Sequence, residues 1–546
     1  MESHLLSIVA LVPVAGALAL LAVGRALRGR DRLLRAIACA VTAVSFAASL
    51  PLWFRFQVRG AEWQFTERLE VLPSIGASYA VGIDGLSLLL ILLTTFLSFI
   101  AVLAPWAAVT TRVKEYYIAI LLLEAAMLGV FMALDLLLFC LCWVLAAASM
   151  CFLIGMPAGG RTRTTLRIGV IALLPGLVIL FGVLALYVQG YTLTGARTFD
   201  LRTFQHLSLP LAVQRWVFLA FLVGFGAGLL GVFRWWLAVA ANGRAVAVAV
   251  LLAAVFVKMG TYAFLRLSLP LLPEASRALA PAIVALSAIG ILYGAVAAFA
   301  QTNWTRVLAY ASLSHLCLVT LGAFALTPDA LTGSAVHQIN HGVSIAALLL
   351  LAGLVADRGT ATGQAAAIDE YGGLLNAMPI VAAVWLLMTL SLVGVPKLSG
   401  FAGTRLIVEG IWPVSTVWSV VAMIGMVLSG VTLLWLFSRT MLGELRSPAS
   451  GVLKDLRFGE AVVFVPLVLF AVWVGLSPAP LLARVETSVA RVVMRVSPQF
   501  APEVADCLTQ LPPTPAETGL PAGVVIAAPC ADGTGNPTAP PQAPKH

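Results

Sequence analysis

One basic residue lies inside an apolar stretch that is long enough to cross a membrane. Residues 246–265 read VAVAVLLAAVFVKMGTYAFL, and Lys258 is the single charged side chain among them. A lysine at such depth costs roughly 2.5–3.5 kcal/mol on insertion scales, so it is first treated as a functional group of an ion or proton path. The alternative is that Lys258 lies near one end of the span, with its stem packed and its amine at the interface.

An acidic residue lies inside another apolar stretch. Glu124 is part of LLLEAAMLGVF, residues 121–131, and a buried acid needs either a partner or a neutral state. A proton relay through hydrocarbon needs groups that accept and release protons. A neighbouring acid favours the charged form of a lysine, whereas desolvation disfavours it. Glu124 is therefore a candidate partner of Lys258.

The composition is that of a membrane protein with many spans. Of the 546 residues, 61% are hydrophobic and 10% are charged, and the mean hydropathy is +1.01, a balance that excludes a soluble globular domain. The net charge of +9 does not indicate nucleic acid, because the basic residues fall in short loops, where they set topology. Cys140 and Cys142, inside an apolar run, are expected to pack rather than to bind metal, and we expect no metal site.

About fourteen apolar windows are long enough to cross the ~30 Å hydrocarbon layer. They fall near residues 5–24, 34–54, 84–105, 116–133, 135–155, 168–188, 214–237, 246–266, 279–300, 306–326, 333–355, 379–411, 415–439 and 460–482. Five arginines follow the first window, at positions 25, 28, 30, 32 and 35, and the positive-inside rule places them in the cytoplasm. The N-terminus is therefore expected outside, and an even number of spans returns the C-terminus to the same side.

Two of the apolar windows contain proline or glycine residues that are typical of interrupted helices. Gly394–Gly403 reads GVPKLSGFAG, and Pro396 is expected to break the long window 379–411, because proline removes a backbone donor. Four glycines crowd an earlier window, at positions 224, 226, 228 and 231. Interrupted segments in corresponding halves indicate inverted repeats around an ion site. Glycines alone also permit close helix packing, which we favour for the earlier window.

Seven stretches between about residues 80 and 410 form a specific set of motifs. They are GIDGLSLLLILLTTFL (82–97), GVFMALDLLLF (129–139), LLAAVFVKMGTYAFLRLSLPLLPEAS (251–276), ILYGAVAAFAQTNWTRVLAYASLSHL (291–316), HQINHG (337–342), YGGLLNAMP (371–379) and GVPKLSGFAG (394–403). In wording and order they resemble the antiporter-like subunits of NADH-quinone oxidoreductase (respiratory complex I), specifically the subunit M type, called subunit 4 in mitochondria. The D-type component of multisubunit cation/proton antiporters shares many of these motifs.

The resemblance implies an all-α polytopic membrane protein of about fourteen helices, with two inverted repeats that each contain a discontinuous helix. It divides the chain into N-terminal transmembrane helices (1–110), an antiporter-like proton-translocation core (111–440) and a C-terminal transmembrane region (441–498). The remaining tail (499–546) is rich in proline, glycine and alanine, and we expect it to be disordered.

The resemblance also implies where the chain resides and what surrounds it. The expected site is the bacterial inner membrane, and the expected partners are the other membrane subunits of complex I or a related assembly, the lipid bilayer and protons, with no nucleic acid. NADH, FMN, the iron–sulfur clusters and quinone belong to partner subunits of the family's complexes. We therefore expect no cofactor and no redox active site on this chain.

Four ionisable residues match, or lie beside, the family's proton path. Lys258 matches its central lysine, on the helix after the first broken one. His315, in ASLSHL, and His341, in INHG, match histidines of the connecting path, and an unperturbed histidine pKa of ~6.5 suits proton exchange. His337 lies one helical turn from His341, so the two share a face. The alternative for His315 and His341 is a neutral ring bonded to backbone.

Three charges that the family carries are missing here. The family has a Trp-Glu pair near the end of its fifth helix, whereas this chain has Trp143-Val144 there. The family's lysine that pairs with this glutamate aligns at or beside Gly228, where this chain has no lysine. The family's loop His-Thr-Trp-Leu-Pro-Asp-Ala-His reads RWWLAVAA (234–241), and the glutamate of the second broken helix is Thr404. Valine and threonine carry no charge at physiological pH. The centre of the relay is therefore kept, while both ends are changed.

Three other charged residues are candidates to compensate for these losses. Lys397 lies beside the predicted break and is a possible new ionisable group there. Arg405 and Glu409 are one helical turn apart and are expected to form an ion pair. We favour a structural pair at the interface for Arg405 and Glu409, since exposed pairs near helix ends are common.

Three functions are consistent with these residues. The first is the membrane-arm subunit M of a proton-translocating NADH-quinone oxidoreductase, which couples quinone reduction elsewhere in the complex to proton transport. In this hypothesis the protons follow a modified route through Glu124, Lys258, His315 and His341. The second is a degenerate, non-conducting structural subunit of such a complex. The third is the D-type component of a multisubunit cation/proton antiporter that exchanges sodium for protons. In each case the chain is one part of a larger assembly.

Overall fold

A computed structural model describes residues 4–23, 29–104, 112–156, 162–230, 246–359, 367–444 and 453–509. In these ranges most of the chain forms helices. The first eight are α1 (Leu5–Val23), α2 (Asp31–Arg55), α3 (Gly85–Leu103), α4 (Val113–Met132), α5 (Leu136–Gly155), α6 (Thr162–Thr194), α7 (Leu201–Gln205) and α8 (Leu211–Leu230). The next six are α9 (Val246–Leu271), α10 (Pro273–Phe299), α11 (Trp304–Phe324), α12 (Pro328–Gly359), α13 (Leu374–Ala377) and α14 (Pro379–Val393). The last five are α15 (Ser399–Ile411), α16 (Thr416–Met441), α17 (Phe458–Leu476), α18 (Ala479–Val496) and α19 (Ala501–Thr509).

The apolar windows of the sequence become membrane-length helices. Twelve helices in the described residues are long and apolar enough to cross a bilayer, and Leu211–Gly226 and Pro379–Val393 are shorter apolar helices. Helices suit these windows because hydrocarbon offers no partners for backbone N–H and C=O groups, so each segment satisfies its own. The prediction of an all-α polytopic membrane protein is confirmed, whereas the count of fourteen spans stays a prediction.

Three helices form the centre of the bundle. Every residue of α9 is buried, and nearly all residues of α11 and α12 are buried as well. In α1, α2, α6 and α17, by contrast, most residues are not buried inside the bundle. A polar side chain is costly where it faces lipid. The centre formed by α9, α11 and α12 is therefore the place in this fold where ionisable groups are best shielded from lipid.

A β-hairpin follows α2, and the sequence analysis did not anticipate it. Strands β1 (Gln64–Leu72) and β2 (Ala77–Ile83) pair antiparallel, with Arg68 opposite Ala80. Glu67 of β1 accepts a hydrogen bond from the backbone N–H of Leu6 at 2.9 Å. The hairpin therefore holds the start of α1.

The helix α18 lies within residues 441–498, the predicted C-terminal transmembrane region. It is amphipathic and is not among the membrane-length apolar helices. Its apolar side packs against α3 and α12. Its polar side binds backbone carbonyls at the end of α2 and in the segment between α2 and β1. We call these contacts the C-terminal clasp: Arg484 to Trp53 (3.2 Å), Thr487 to Val58 (3.0 Å) and Arg491 to Gly60 (3.2 Å).

The prediction of disorder from residue 499 onward is wrong for the start of the tail. Residues Pro498–Phe500 form a 3-10 turn and Ala501–Thr509 form α19, which packs against α18. Residues 510–546 lie outside the described part of the chain. The start of the tail is ordered because it continues directly from a helix that is docked on the bundle.

The structure confirms the break predicted at Pro396. α14 ends at Val393, α15 begins at Ser399, and Gly394 between them has φ +87°, a conformation that glycine adopts without steric cost. In the earlier glycine-rich window, α8 is continuous through Gly224 and Gly226. The RWWLAVAA segment (234–241) lies outside the described residues.

Candidate functional site

Lys258 lies in the middle of α9 and is completely buried. Two π-helical turns flank it, Leu252–Phe256 and Phe264–Ser268, and such turns are frequent at functional sites. Its amine donates to the carbonyl oxygen of Ala253 at 3.1 Å and lies 3.2 Å from Nδ1 of His341. The amine is therefore bound inside the bundle, and the alternative in which it reaches an interface does not hold.

His341 connects Lys258 to a polar group on the next helix. It lies on α12, is buried, and its Nε2 is 3.1 Å from the hydroxyl oxygen of Ser312 on α11. The sequence analysis did not select Ser312. Its position three residues before His315 in ASLSHL was the available signal, because residues at that spacing share a helix face.

A second histidine pair continues the row away from Lys258. Nδ1 of His315 lies 3.1 Å from Nε2 of His337, and Nδ1 of His337 lies 3.4 Å from the hydroxyl oxygen of Thr404. The His315 and His341 rings are 5.5 Å apart, centre to centre. The structure thus brings Lys258, three histidines and Thr404 into one polar row through the centre of the bundle.

The row ends at a hydroxyl group. Thr404, on α15, is partly buried, and its hydroxyl donates to the carbonyl oxygen of Gly400 at 3.0 Å. Arg405 and Glu409 follow on the same helix as an ion pair of 2.7 Å between two exposed side chains, the pair predicted from their spacing. The acidic Glu409 is therefore engaged with Arg405 rather than placed at the end of the row.

Glu124 does not pair with Lys258. It is completely buried on α4, and neither carboxylate oxygen has a hydrogen-bond partner among the described residues. The structure therefore does not bear out the direct compensation in which Glu124 serves as the partner of Lys258.

Apolar side chains occupy the region of the missing input charges. Val144 is partly buried on α5, next to Trp143, whose ring centre lies 5.4 Å from that of Phe225 on α8. α8 and α9 touch at Gly260, where a Cβ atom would lie 2.5 Å from the carbonyl oxygen of Phe225. Gly228 lies near the end of α8. Aromatic rings therefore pack between α5 and α8, beside the position at which the resemblance places the glutamate of the input pair.

Lys397 lies in the break between α14 and α15. Its side chain is exposed, its φ is +69°, and it makes no hydrogen bond or ion pair with the described residues. The structure does not connect it to the row of histidines.

Other polar contacts hold the helices that carry the row. Thr261 of α9 donates to the amide oxygen of Gln338 at 2.7 Å, and Asn340 donates to the carbonyl oxygen of Ser399 at 2.5 Å. At the end of α9, Arg266 binds the carboxylate of Asp84 at 3.1 Å, and Asp84 also accepts from the backbone N–H of Ser87 at 2.9 Å. These contacts fix α9 relative to α12 and α3.

Comparisons with known proteins give consistent results for sequence and fold. Residues 133–429 match the family described as NADH:quinone oxidoreductase/Mrp antiporter, TM. NADH-quinone oxidoreductase subunit M of Rhodobacter capsulatus is 35% identical over 504 residues, which cover 90% of this chain and 96% of the relative. NADH-ubiquinone oxidoreductase chain 4 of Arabidopsis thaliana is 34% identical, with 88% and 96% covered.

Two solved structures resemble the fold over most of its length. A chain of respiratory complex I from Thermus thermophilus with bound NADH superposes with a TM-score of 0.79 at 28% identity, over 91% of this chain and 100% of that chain. A chain of the Mrp complex from Dietzia sp. DQ12-45-1b superposes with a TM-score of 0.74 at 20% identity, over 93% and 99%. The second likeness concerns the fold alone.

Proposed function

The chain belongs to the NADH:quinone oxidoreductase/Mrp antiporter transmembrane family, and from this membership we propose that it is subunit M of a proton-translocating NADH-quinone oxidoreductase. It couples quinone reduction elsewhere in the complex to proton transport in the membrane arm. Its partners are the other membrane subunits, and NADH, FMN, iron–sulfur clusters and quinone are bound by partner subunits. The chain resides in the bacterial inner membrane with both termini outside.

The row from Lys258 to Thr404 is the observation that supports proton transport. A proton relay needs titratable groups at hydrogen-bond distance in a site shielded from lipid. Lys258 with His341, and His315 with His337, are two buried pairs that meet this condition. The 5.5 Å separation of the His315 and His341 rings is a distance that a water molecule can bridge by hydrogen bonds. Each of these residues lies on one of the three buried helices α9, α11 and α12.

Substitution of Lys258 by methionine in the complete complex tests this function. Methionine fills a similar volume without a charge, so we expect the complex to assemble and to oxidise NADH while pumping fewer protons per NADH. Proton uptake into inverted membrane vesicles and the amount of assembled complex are measured on the same membranes. Unchanged proton transport with normal assembly would overturn the conducting function.

A non-conducting structural role is the second candidate. The apolar surroundings of Val144 and the hydroxyl of Thr404 in place of an acid favour it. In that case the Lys258→Met variant pumps normally, and removal of the whole chain disrupts the membrane arm. A sodium/proton antiporter component predicts instead that transport depends on sodium, which the same vesicles report.

A further inference from the structure

An apolar groove opens on the outward surface of the bundle between α2 and α17. It encloses about 460 Å³, a volume within the range of pockets that bind small ligands. Its walls include Leu50 of α2 and Leu469 and Trp473 of α17, and buried residues of α3 and α12 form its floor. The three named side chains are exposed, so the groove opens sideways toward the lipid.

The groove begins at one end of the membrane helices and runs toward their middle. Trp53 and Trp473 line it close to the ends of α2 and α17, which are Arg55 and Leu476. From Trp53 the wall follows α2 to Phe46, which is about 10 Å at 1.5 Å per residue. One leaflet contributes roughly half of the ~30 Å hydrocarbon layer. The groove therefore lies within a single leaflet and follows the direction of an acyl chain.

A guanidinium group lies at the interfacial end of the groove. Leu481 of α18 lines this end, and Arg484, one helical turn further on, stacks on Trp53 with its Cζ atom 3.5 Å from the ring centre. Two of its N–H groups donate to the backbone carbonyl oxygens of Pro480 and Trp53. Arg484 has no carboxylate partner among the described residues. Since a guanidinium carries five N–H donors, Arg484 is held in place while its charge stays unpaired.

The groove and Arg484 together match the two parts of a phospholipid. An acyl chain is apolar and lies along the leaflet, as the groove does, and its phosphate lies at the interface, where tryptophans are enriched. The planar guanidinium group fits phosphate oxygens in a bidentate manner. A zwitterionic headgroup carries its own balancing ammonium, whereas an anionic headgroup supplies the net negative charge that Arg484 lacks within this chain.

We infer that the groove is a lipid-binding site, which holds one acyl chain of an anionic phospholipid while Arg484 binds the phosphate. This site goes beyond the proposed function, because lipid binding requires no proton transport. Ile339 and Val343 of α12 line the groove. At about 100° per residue, they lie on the face of α12 opposite the histidines of the row. The bound chain therefore packs against the outward side of the helix that carries His337 and His341.

The test uses the complete complex in lipid nanodiscs and a phospholipid probe with a photoactivatable diazirine on its acyl chain. The probe carries either a phosphatidylglycerol or a phosphatidylcholine headgroup, and mass spectrometry measures how strongly each one labels the peptides that line the groove. We expect the phosphatidylglycerol probe to label them about fivefold more, because one basic residue favours an anionic headgroup to that extent. Leu50→Trp places a larger side chain in the groove and should lower the labelling by both probes.

Substitution of Arg484 tests the contact with the headgroup. Arg484→Gln removes the charge, so labelling by phosphatidylglycerol should fall to the level of phosphatidylcholine. Arg484→Lys keeps the charge and should keep the preference. Arg405→Gln is the matched control, since Arg405 is exposed and has its ion-pair partner within the chain, and it should behave like the wild type.

Equal labelling by the two probes in the wild-type complex, or an unchanged preference in Arg484→Gln, would overturn the proposal. Absence of labelling with both probes would overturn it as well, because a neighbouring subunit or another apolar molecule would then occupy the groove. If Arg484→Gln does not accumulate in membranes, the wild-type complex and Arg484→Lys decide. A preference for phosphatidylglycerol in both supports the site, and its loss in the lysine variant rejects it.

Discussion

His341 must accept a hydrogen bond at Nδ1 whenever Lys258 is charged, because an ammonium group offers donors alone. Nε2 then carries the ring proton and donates a hydrogen bond to the hydroxyl oxygen of Ser312, 3.1 Å away. When Lys258 loses its proton, the neutral amine can accept, and the two residues can exchange roles. The contact of 3.2 Å between them therefore has two arrangements that differ by the position of one proton.

Replacement of His341 by glutamine tests this exchange. Glutamine offers an acceptor to Lys258 and a donor to Ser312 but does not titrate, so the complex should assemble while proton transport falls. A positioned acid–base group contributes roughly 10²–10⁴-fold to proton transfer, and we expect a decrease in transport of about tenfold or more. The measurement is the initial rate of proton uptake at equal NADH oxidation.

Ser312→Ala is the matched control for this prediction, because it removes one hydrogen bond and no titratable group. We expect it to change transport less than His341→Gln does. Equal transport in the two variants would show that titration of His341 is not required.

The elements around the row differ in how well the sequence predicted them. Apolar windows and Pro396 predicted the helices and the break, because hydrocarbon forces each span to satisfy its own backbone groups. The hairpin was missed although PSIG, residues 73–76, is a turn signal, because strands of nine and seven residues are too short to stand out in a search for membrane-spanning helices. α18 was missed although Leu481, Val485, Val489 and Val493 recur with the period of a helix face.

The site could be predicted as a set of residues but not as a geometry. Lys258, His315, His337 and His341 were selected from the sequence, and the structure brings them together. The distance between Glu124 and Lys258, and the choice of Ser312 as a partner, depend on the rotation of each helix in the bundle. Sequence spacing within one helix does not determine such rotations.

The helix α9 depends on its anchor at Asp84. Both Arg266 and Asp84 are buried, and removal of one member of a buried ion pair typically costs about 3–5 kcal/mol. Asp84→Asn keeps an acceptor for the backbone N–H of Ser87 but removes the charge that Arg266 needs. We expect the midpoint of thermal unfolding in detergent to fall by several degrees.

Arg68→Ala provides the comparison for this prediction. Arg68 is about half exposed in its pair with Asp200, which Arg202 also binds, and exposed pairs contribute about 0–1 kcal/mol. Equal shifts of the unfolding midpoint in the two variants would contradict a special role of the buried pair.

At the scale of the whole molecule, several parts meet on one side of the bundle. Glu67 joins the hairpin to the start of α1, and the C-terminal clasp joins α18 to the segment between α2 and β1. The N-terminus and the last described helix therefore share one side of the membrane. We expect this side to be the outside, because the positive-inside rule places the arginines between the first two spans in the cytoplasm.

Reporter fusions test this orientation. Alkaline phosphatase is active only outside the cytoplasm, so we expect activity when it is fused after Thr509 and none when it is fused after Gly443, in the loop that follows α16. The measurement is phosphatase activity per amount of fusion protein in whole cells. The reverse pattern would place both termini in the cytoplasm.

The C-terminal clasp also has a mechanical consequence. Its three hydrogen bonds join the last long helix of the described chain to the end of the second helix and to the segment that follows it, so the two ends of the bundle are tied to each other. A force applied at the C-terminus acts on α18, with its clasp and its packing on α3 and α12, before it reaches α17. The first rupture in a single-molecule pulling experiment would therefore open the clasp, and extraction of α17 would follow as a separate event.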